Sequence, residues 1–208
     1  MARIQGVSQE QAGPIVKLVY RFMRRGMKKM TGREAASGSG IEPLEIWAHQ
    51  PKMMSGMGKF QQAVRKGNTV DDRIKYLVEL KGAQIIGCEF CVDLGSQICR
   101  NSGFTDEELL ALPRYRQSDL FSDCEKLALD YTVAVMRTPV EVTDELFAQM
   151  KEQFSDRQLV EITALLTLVN LDRFNAAFGI GSAGFSQGMV CVLPDRPTRE
   201  PAPLATNP

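Results

Sequence analysis

Apolar residues recur at helical spacing along most of this chain. Over residues 70–86, Ile74, Leu77, Val78 and Ile85 fall on one face of a 3.6-residue repeat. Cys124, Leu127, Ala128, Tyr131 and Val135 do the same further on, and Leu146, Phe147, Met150 and Phe154 mark another helix behind Thr143. The polar residues between these stretches supply start signals. Thr105 with Glu108, Ser122 with Glu125 and Ser155 with Gln158 have the spacing of capping boxes, and Pro113 closes the first of the three helices. Residues from about 158 to 178 are apolar on several sides (Leu159, Val160, Ile162, Leu165, Leu166, Leu168, Val169). That pattern predicts one long helix, central to the fold or at an oligomer interface.

The two ends read differently. Residues 14–30 predict a helix with an apolar stripe (Ile15, Leu18, Val19, Phe22) and a basic end at Arg24, Arg25, Lys28 and Lys29. The balanced charge favours an arm packed on the domain with its cations in water over a membrane-surface helix. A polar linker, TGREAASGSG, follows. The only strand-like piece is MVCVL at 189–193, and no βαβ alternation is present. The chain is therefore expected to be an all-α bundle over 41–193, with a helical arm and linker at 1–40 and a Pro-rich extended tail at 194–208.

Composition narrows the function. The 208 residues carry 25 Lys plus Arg and 25 Asp plus Glu, for a formal net charge of +0, which argues against a nucleic-acid partner. No apolar run approaches the roughly 20 residues needed to span a bilayer, and MARIQGVSQEQ has no signal core, so a cytoplasmic location without membrane association is expected. Five cysteines, an odd number, do not suggest a disulfide scaffold. The one histidine, His49, rules out a His-rich metal site within a single chain. In EIWAHQP it reads as a half-buried structural residue.

The chemically pointed segment is GCEFCVDLGSQICR, residues 87–100. Cys88 and Cys91 form a C-x-x-C after a glycine break, where a second helical segment begins. Unpaired N–H groups of a helix's first turn stabilise a thiolate there. Two thiols at this spacing can also close into a disulfide with little backbone movement. The pair thus reads as a redox dithiol. Zinc is disfavoured because no second C-x-x-C exists, and a thioredoxin fold because a helix precedes the motif. Two small buried residues of a core helix are the bland alternative. Cys99, Cys124 and Cys191 read that way.

YLVELKGAQIIGCEFCVDLGSQICRNSGFTDEELLAL resembles the core of the carboxymuconolactone decarboxylase family, the alkylhydroperoxidase AhpD-like group. The resemblance runs from about Ile41 to Cys191, through FSDCEKLALDYTVAVMRTPVEVTDELFAQM and NLDRFNAAFGI. It implies an all-α fold, assembly as a homo-oligomer (dimer, trimer or hexamer), no cofactor, and an enzyme that reduces peroxides through its cysteine pair. By the same resemblance, Cys91 would attack and Cys88 would resolve. The chain departs from the family at three positions. Gly95 stands where a histidine follows the second cysteine by one turn. Tyr76 stands where an acid precedes the first, and Phe90 where a histidine can lie between them.

Substitutes for the missing relay can be sought by helix geometry. Glu79 is three residues from Tyr76 on the same face and is the best replacement acid, with a solvated surface carboxylate as the alternative; Tyr76 could donate a hydrogen bond. Cys88, Cys91, Glu79 and Tyr76 are thus the candidate catalytic set. Asp93 lies about 200° around the helix from Cys91 and points away from its sulfur. Gly95 leaves that sulfur uncovered, which makes room for a substrate or for another element. Asn170, Arg173 and Asn175 interrupt the last apolar helix, as a polar network or as an anion clamp. Two other readings stay open: a lyase or hydrolase of a small carboxylated metabolite, and a non-catalytic oligomeric redox sensor.

Overall fold

The computed structural model describes residues 2–187. Within them the chain forms helices α1 (Pro14–Thr31), α2 (Glu42–Trp47), α3 (Pro51–Arg65), α4 (Asp72–Ile86), α5 (Glu89–Asn101), α6 (Asp106–Ala111), α7 (Asp123–Val135), α8 (Asp144–Gln153), α9 (Asp156–Val169) and α10 (Asp172–Ala177). A 3₁₀ turn, Leu112–Gln117, follows α6. No strand occurs among the described residues. The strand-like 189–193, Cys191 and the Pro-rich 194–208 lie outside them.

The polar start signals work as the spacing predicts. Thr105, Ser122 and Ser155 each accept a backbone N–H from the third residue of α6, α7 and α9, and Glu108, Glu125 and Gln158 return the bond. Thr143 caps α8 through Leu146 N–H. Pro113 occupies the first turn of the 3₁₀ segment, where its missing N–H costs nothing, so it redirects the chain after α6.

Helix α4 is central and packs against α5, α7 and α9. One of its faces, with Val78, meets Ile162, Leu166 and Met150 of the α8–α9 side. Another, with Leu77, Leu80 and Ala83, meets Val92, Cys99 and Leu129. A further cluster joins Val16 and Tyr20 of α1, Ile46 of α2, and Cys88 and Phe90 at the start of α5. Helix α1 lies against α5.

Two local expectations change. The stripe Ile15, Leu18 and Phe22 does not face the domain: Ile15 is 79% and Phe22 61% exposed. The buried face is Val16, Tyr20, Met27 and Thr31, because the Tyr20 hydroxyl must reach a partner, the Val7 carbonyl at 2.9 Å. The basic end is partly neutralised by pairs Arg24–Glu45 and Lys28–Glu34.

The long helix predicted over about 158–178 is two helices. At Asn170 and Leu171 the hydrogen bonds tighten to three-residue spacing: Leu171 N–H donates to Leu168 and Arg173 N–H to Asn170. Asn170 also turns its own amide back to the Leu166 carbonyl. The chain then restarts as the short α10. This break positions the site.

Candidate redox site

The turn into the cysteine pair is set by Gly87. It takes a left-handed conformation, φ 73°, which L side chains rarely adopt. The N–H of Cys88 bonds the Ala83 carbonyl and that of Gly87 the Gln84 carbonyl, closing α4 with the pattern of a Schellman cap. Cys88 is then the N-cap of α5, and its sulfur accepts the N–H of Cys91 at 3.2 Å. Cys88 and Cys91 are joined as a disulfide, with Cα atoms 5.2 Å apart.

The two sulfurs differ in surroundings. Cys88 is fully buried, in the cluster with Tyr20 and Phe90. Cys91 is partly exposed and accepts a hydrogen bond from Asn175 Nδ2 at 3.4 Å. Asn175 lies on α10, three residues beyond Asp172 and on the same side of that helix. A carboxylate oxygen of Asp172 and the sulfurs of Cys88 and Cys91 all lie within 4.8 Å of one another. Burial, followed by the negative charge of Glu79, pushes the Asp172 carboxyl up to about 7, against a smaller downward pull from Arg65. Surface area leaves Asp172 only partly covered; the closeness of protein atoms around its carboxyl accounts for the upward push.

The charge of Glu79 thus opposes ionisation of Asp172. The Glu79 side chain is 19% exposed, and its carboxylate pairs with Arg65 Nη1 of α3 at 2.9 Å. Tyr76, three residues earlier, stands edge-on to Phe104 with ring centroids 6.5 Å apart. A Cβ on Gly95 would stand 3.2 Å from Leu80 Cδ1, so this glycine admits α4 close to α5 rather than opening space for a substrate.

Asp93, as the helix geometry predicts, turns away from Cys91. It is fully buried and holds the backbone of residues 183–186. One oxygen accepts the N–H groups of Ala183 and Phe185, at 3.0 Å each, and the other accepts the N–H and hydroxyl of Ser186, at 2.8 and 2.6 Å. Burial alone would raise its pKa, but these bonds hold the carboxyl below its ordinary value.

His49 is exposed, with Nε2 2.9 Å from the Gln5 carbonyl oxygen. Arg173, which interrupts the apolar pattern in the sequence, is exposed and donates from Nε to Asn170 Oδ1. Asp172 escaped the sequence reading, although the residues on either side of it were singled out. The signal was present in Asn170-Leu171-Asp172: an Asn and an Asp that can end one helix and open another.

An all-α bundle that carries a closed C-x-x-C between two helices defines the class. The sequence profile of the carboxymuconolactone decarboxylase family matches residues 51–134, and the chain belongs to this family. The chain is 36% identical, over 162 residues, to the uncharacterized protein YnjA of Escherichia coli strain K12; the match covers 76% of this chain and 86% of that one. Among solved structures, the debrominase Bmp8 in complex with 2,3,4-tribromopyrrole superposes with a TM-score of 0.73 at 19% identity, covering 89% of this chain and 94% of that one. An uncharacterized peroxidase-related protein from Ralstonia eutropha JMP134, with an alkylhydroperoxidase AhpD core, gives 0.69 at 16% identity, covering 89% and 94%. At these identities the two structures establish the fold. No described helix is long and apolar enough to cross a membrane.

Proposed function

We propose that this protein is a thiol oxidoreductase that cycles Cys88 and Cys91 between dithiol and disulfide, with a hydroperoxide as oxidant and a dithiol as reductant. The supporting observation is the asymmetry of the pair. Cys91 is the sulfur an incoming molecule reaches, while Cys88 is buried under the first-turn N–H groups of α5, which favour its thiolate. In the oxidative half, the Cys91 thiolate attacks the peroxide O–O bond. It becomes a sulfenic acid, and the alkoxide leaves and takes a proton to give the alcohol. The Cys88 thiolate then attacks the Cys91 sulfur, the S–S bond forms, and hydroxide leaves as water after taking a proton. In the reductive half, a thiolate attacks Cys91, Cys88 leaves with the electron pair of the S–S bond, and the second thiol of the reductant, as its thiolate, attacks the mixed disulfide and releases Cys91.

The test is peptide mass analysis of fully reduced protein after equimolar hydroperoxide. The expected product has lost two hydrogens and carries the 88–91 bond, and Cys88→Ser accumulates one added oxygen on Cys91. Oxidation of Cys99 as fast as the pair contradicts the proposal. A parallel arm replaces peroxide with a brominated pyrrole and measures bromide, because the fold is shared with a debrominase. There the dithiol's two electrons would replace C–Br by C–H, and the same disulfide would remain.

A further inference from the structure

We propose that Asp172 carries the proton of the Cys88–Cys91 exchange, giving it to the departing sulfur when the disulfide opens and taking it back when the disulfide forms. The inference rests on the redox reading above and adds the group that this chain uses for acid–base work. Three observations converge. The carboxylate lies within 4.8 Å of both sulfurs. It accepts no hydrogen bond from the described residues, so nothing fixes it in one ionisation state. It stands on α10, whose start is set by the break at Asn170–Leu171 and whose Asn175 already bonds the Cys91 sulfur.

The charged groups around Asp172 explain how it can serve near neutral pH. From α4, Glu79 opposes its ionisation; from α3, Arg65 favours it less strongly; from α5 come the two sulfurs, uncharged while they are bonded to each other. A carboxylate and a thiolate this close repel, so a negative charge on one favours a proton on the other. When the disulfide opens, the Cys88 sulfur leaves with an electron pair. Protonated Asp172 supplies a proton, Cys88 becomes a thiol, and Asp172 becomes a carboxylate. In the oxidative direction the carboxylate takes the proton from the thiol that must attack. The Glu79–Arg65 pair is a tuning element, since its charges act on the Asp172 carboxyl.

The experiment measures the rate at which dithiothreitol opens the 88–91 disulfide in the intact protein, per dithiothreitol thiolate, from pH 5.5 to 9. For wild type this rate rises about tenfold as pH falls from about 8 to about 6, with an inflection near 7. Asp172→Asn is flat within about twofold, Asp172→Glu restores an inflection, and Glu79→Gln moves the inflection to lower pH. An inflection that persists unchanged in Asp172→Asn overturns the inference while leaving the redox reading standing. A protein whose 88–91 pair neither opens nor re-forms overturns both.

Discussion

Asp93, on α5, and Asp172, on α10 beside the cysteine pair, are the same residue type, and they are held in opposite states. Asp93 is fully buried, yet its two oxygens accept three backbone N–H groups and a hydroxyl, so it stays ionised below the ordinary range. Asp172 retains some solvent contact, yet it accepts no such bonds and faces Glu79, so its carboxyl is pushed up to about 7. Burial pushes both carboxyls up, so burial alone does not separate the two. Donors decide: a carboxylate ringed by N–H groups is structural, and one left without them beside a reactive pair keeps a proton it can transfer.

The largest way to break this contrast is to remove the Asp93 carboxylate. Asp93→Ala leaves the N–H groups of Ala183, Phe185 and Ser186 buried without their acceptor, and a loss of about 3–5 kcal/mol is expected in urea unfolding. Because the folded-state pKa of Asp93 lies below its unfolded value, its contribution is present above the unfolded value and disappears as pH falls through the folded one. Stability of wild type and Asp93→Asn, compared from pH 6 down to 2, should converge at the acid end.

The substitution at the other carboxyl has the opposite sign. Asp172 binds its proton more tightly when folded, so between about 4 and about 7 the native state holds more protons and stability falls as pH rises. Asp172→Asn removes this slope and is expected to be more stable than wild type at pH 8 by on the order of 1 kcal/mol, while losing the acid limb of disulfide opening. Thermal unfolding across that pH window checks it. Equal slopes in the two proteins would mean that Asp172 titrates ordinarily.

What could be read from the chain follows the same division. Caps at Thr105, Ser122, Thr143 and Ser155 are local, three residues apart in sequence, and they are legible. So is the Gly87–Cys88–Cys91 turn. The partners of the pair are not local. Asn175 bonds Cys91 from 84 positions away, and Asp172 comes in on the same short helix, through a break that contains neither Gly nor Pro and over which apolar periodicity continues. The stripe of α1 misleads for a related reason. Periodicity finds an apolar face, but Tyr20 and its hydroxyl partner decide which face turns inward.

Gly95 stands where the sequence resemblance implies a histidine, and two substitutions test that position. Gly95→Ala brings a methyl to 3.2 Å from Leu80 Cδ1, a flexible end that can yield. The gain in helix propensity offsets that crowding, so stability should change by less than about 0.5 kcal/mol, with dithiol turnover unaffected. Gly95→His should lose about 2 kcal/mol by overpacking against Leu80 and should not speed turnover, since proton transfer is already supplied from α10.

The most direct measurement is a carbon-13 titration of the side-chain carboxyls of Asp93 and Asp172, with the disulfide closed and then opened. The account predicts an Asp172 midpoint near 7 in the closed form that shifts when the sulfurs gain protons, while Asp93 titrates below the ordinary carboxylate range in both forms. An Asp172 carboxyl that titrates like an exposed aspartate and ignores the state of Cys88 and Cys91 would contradict it.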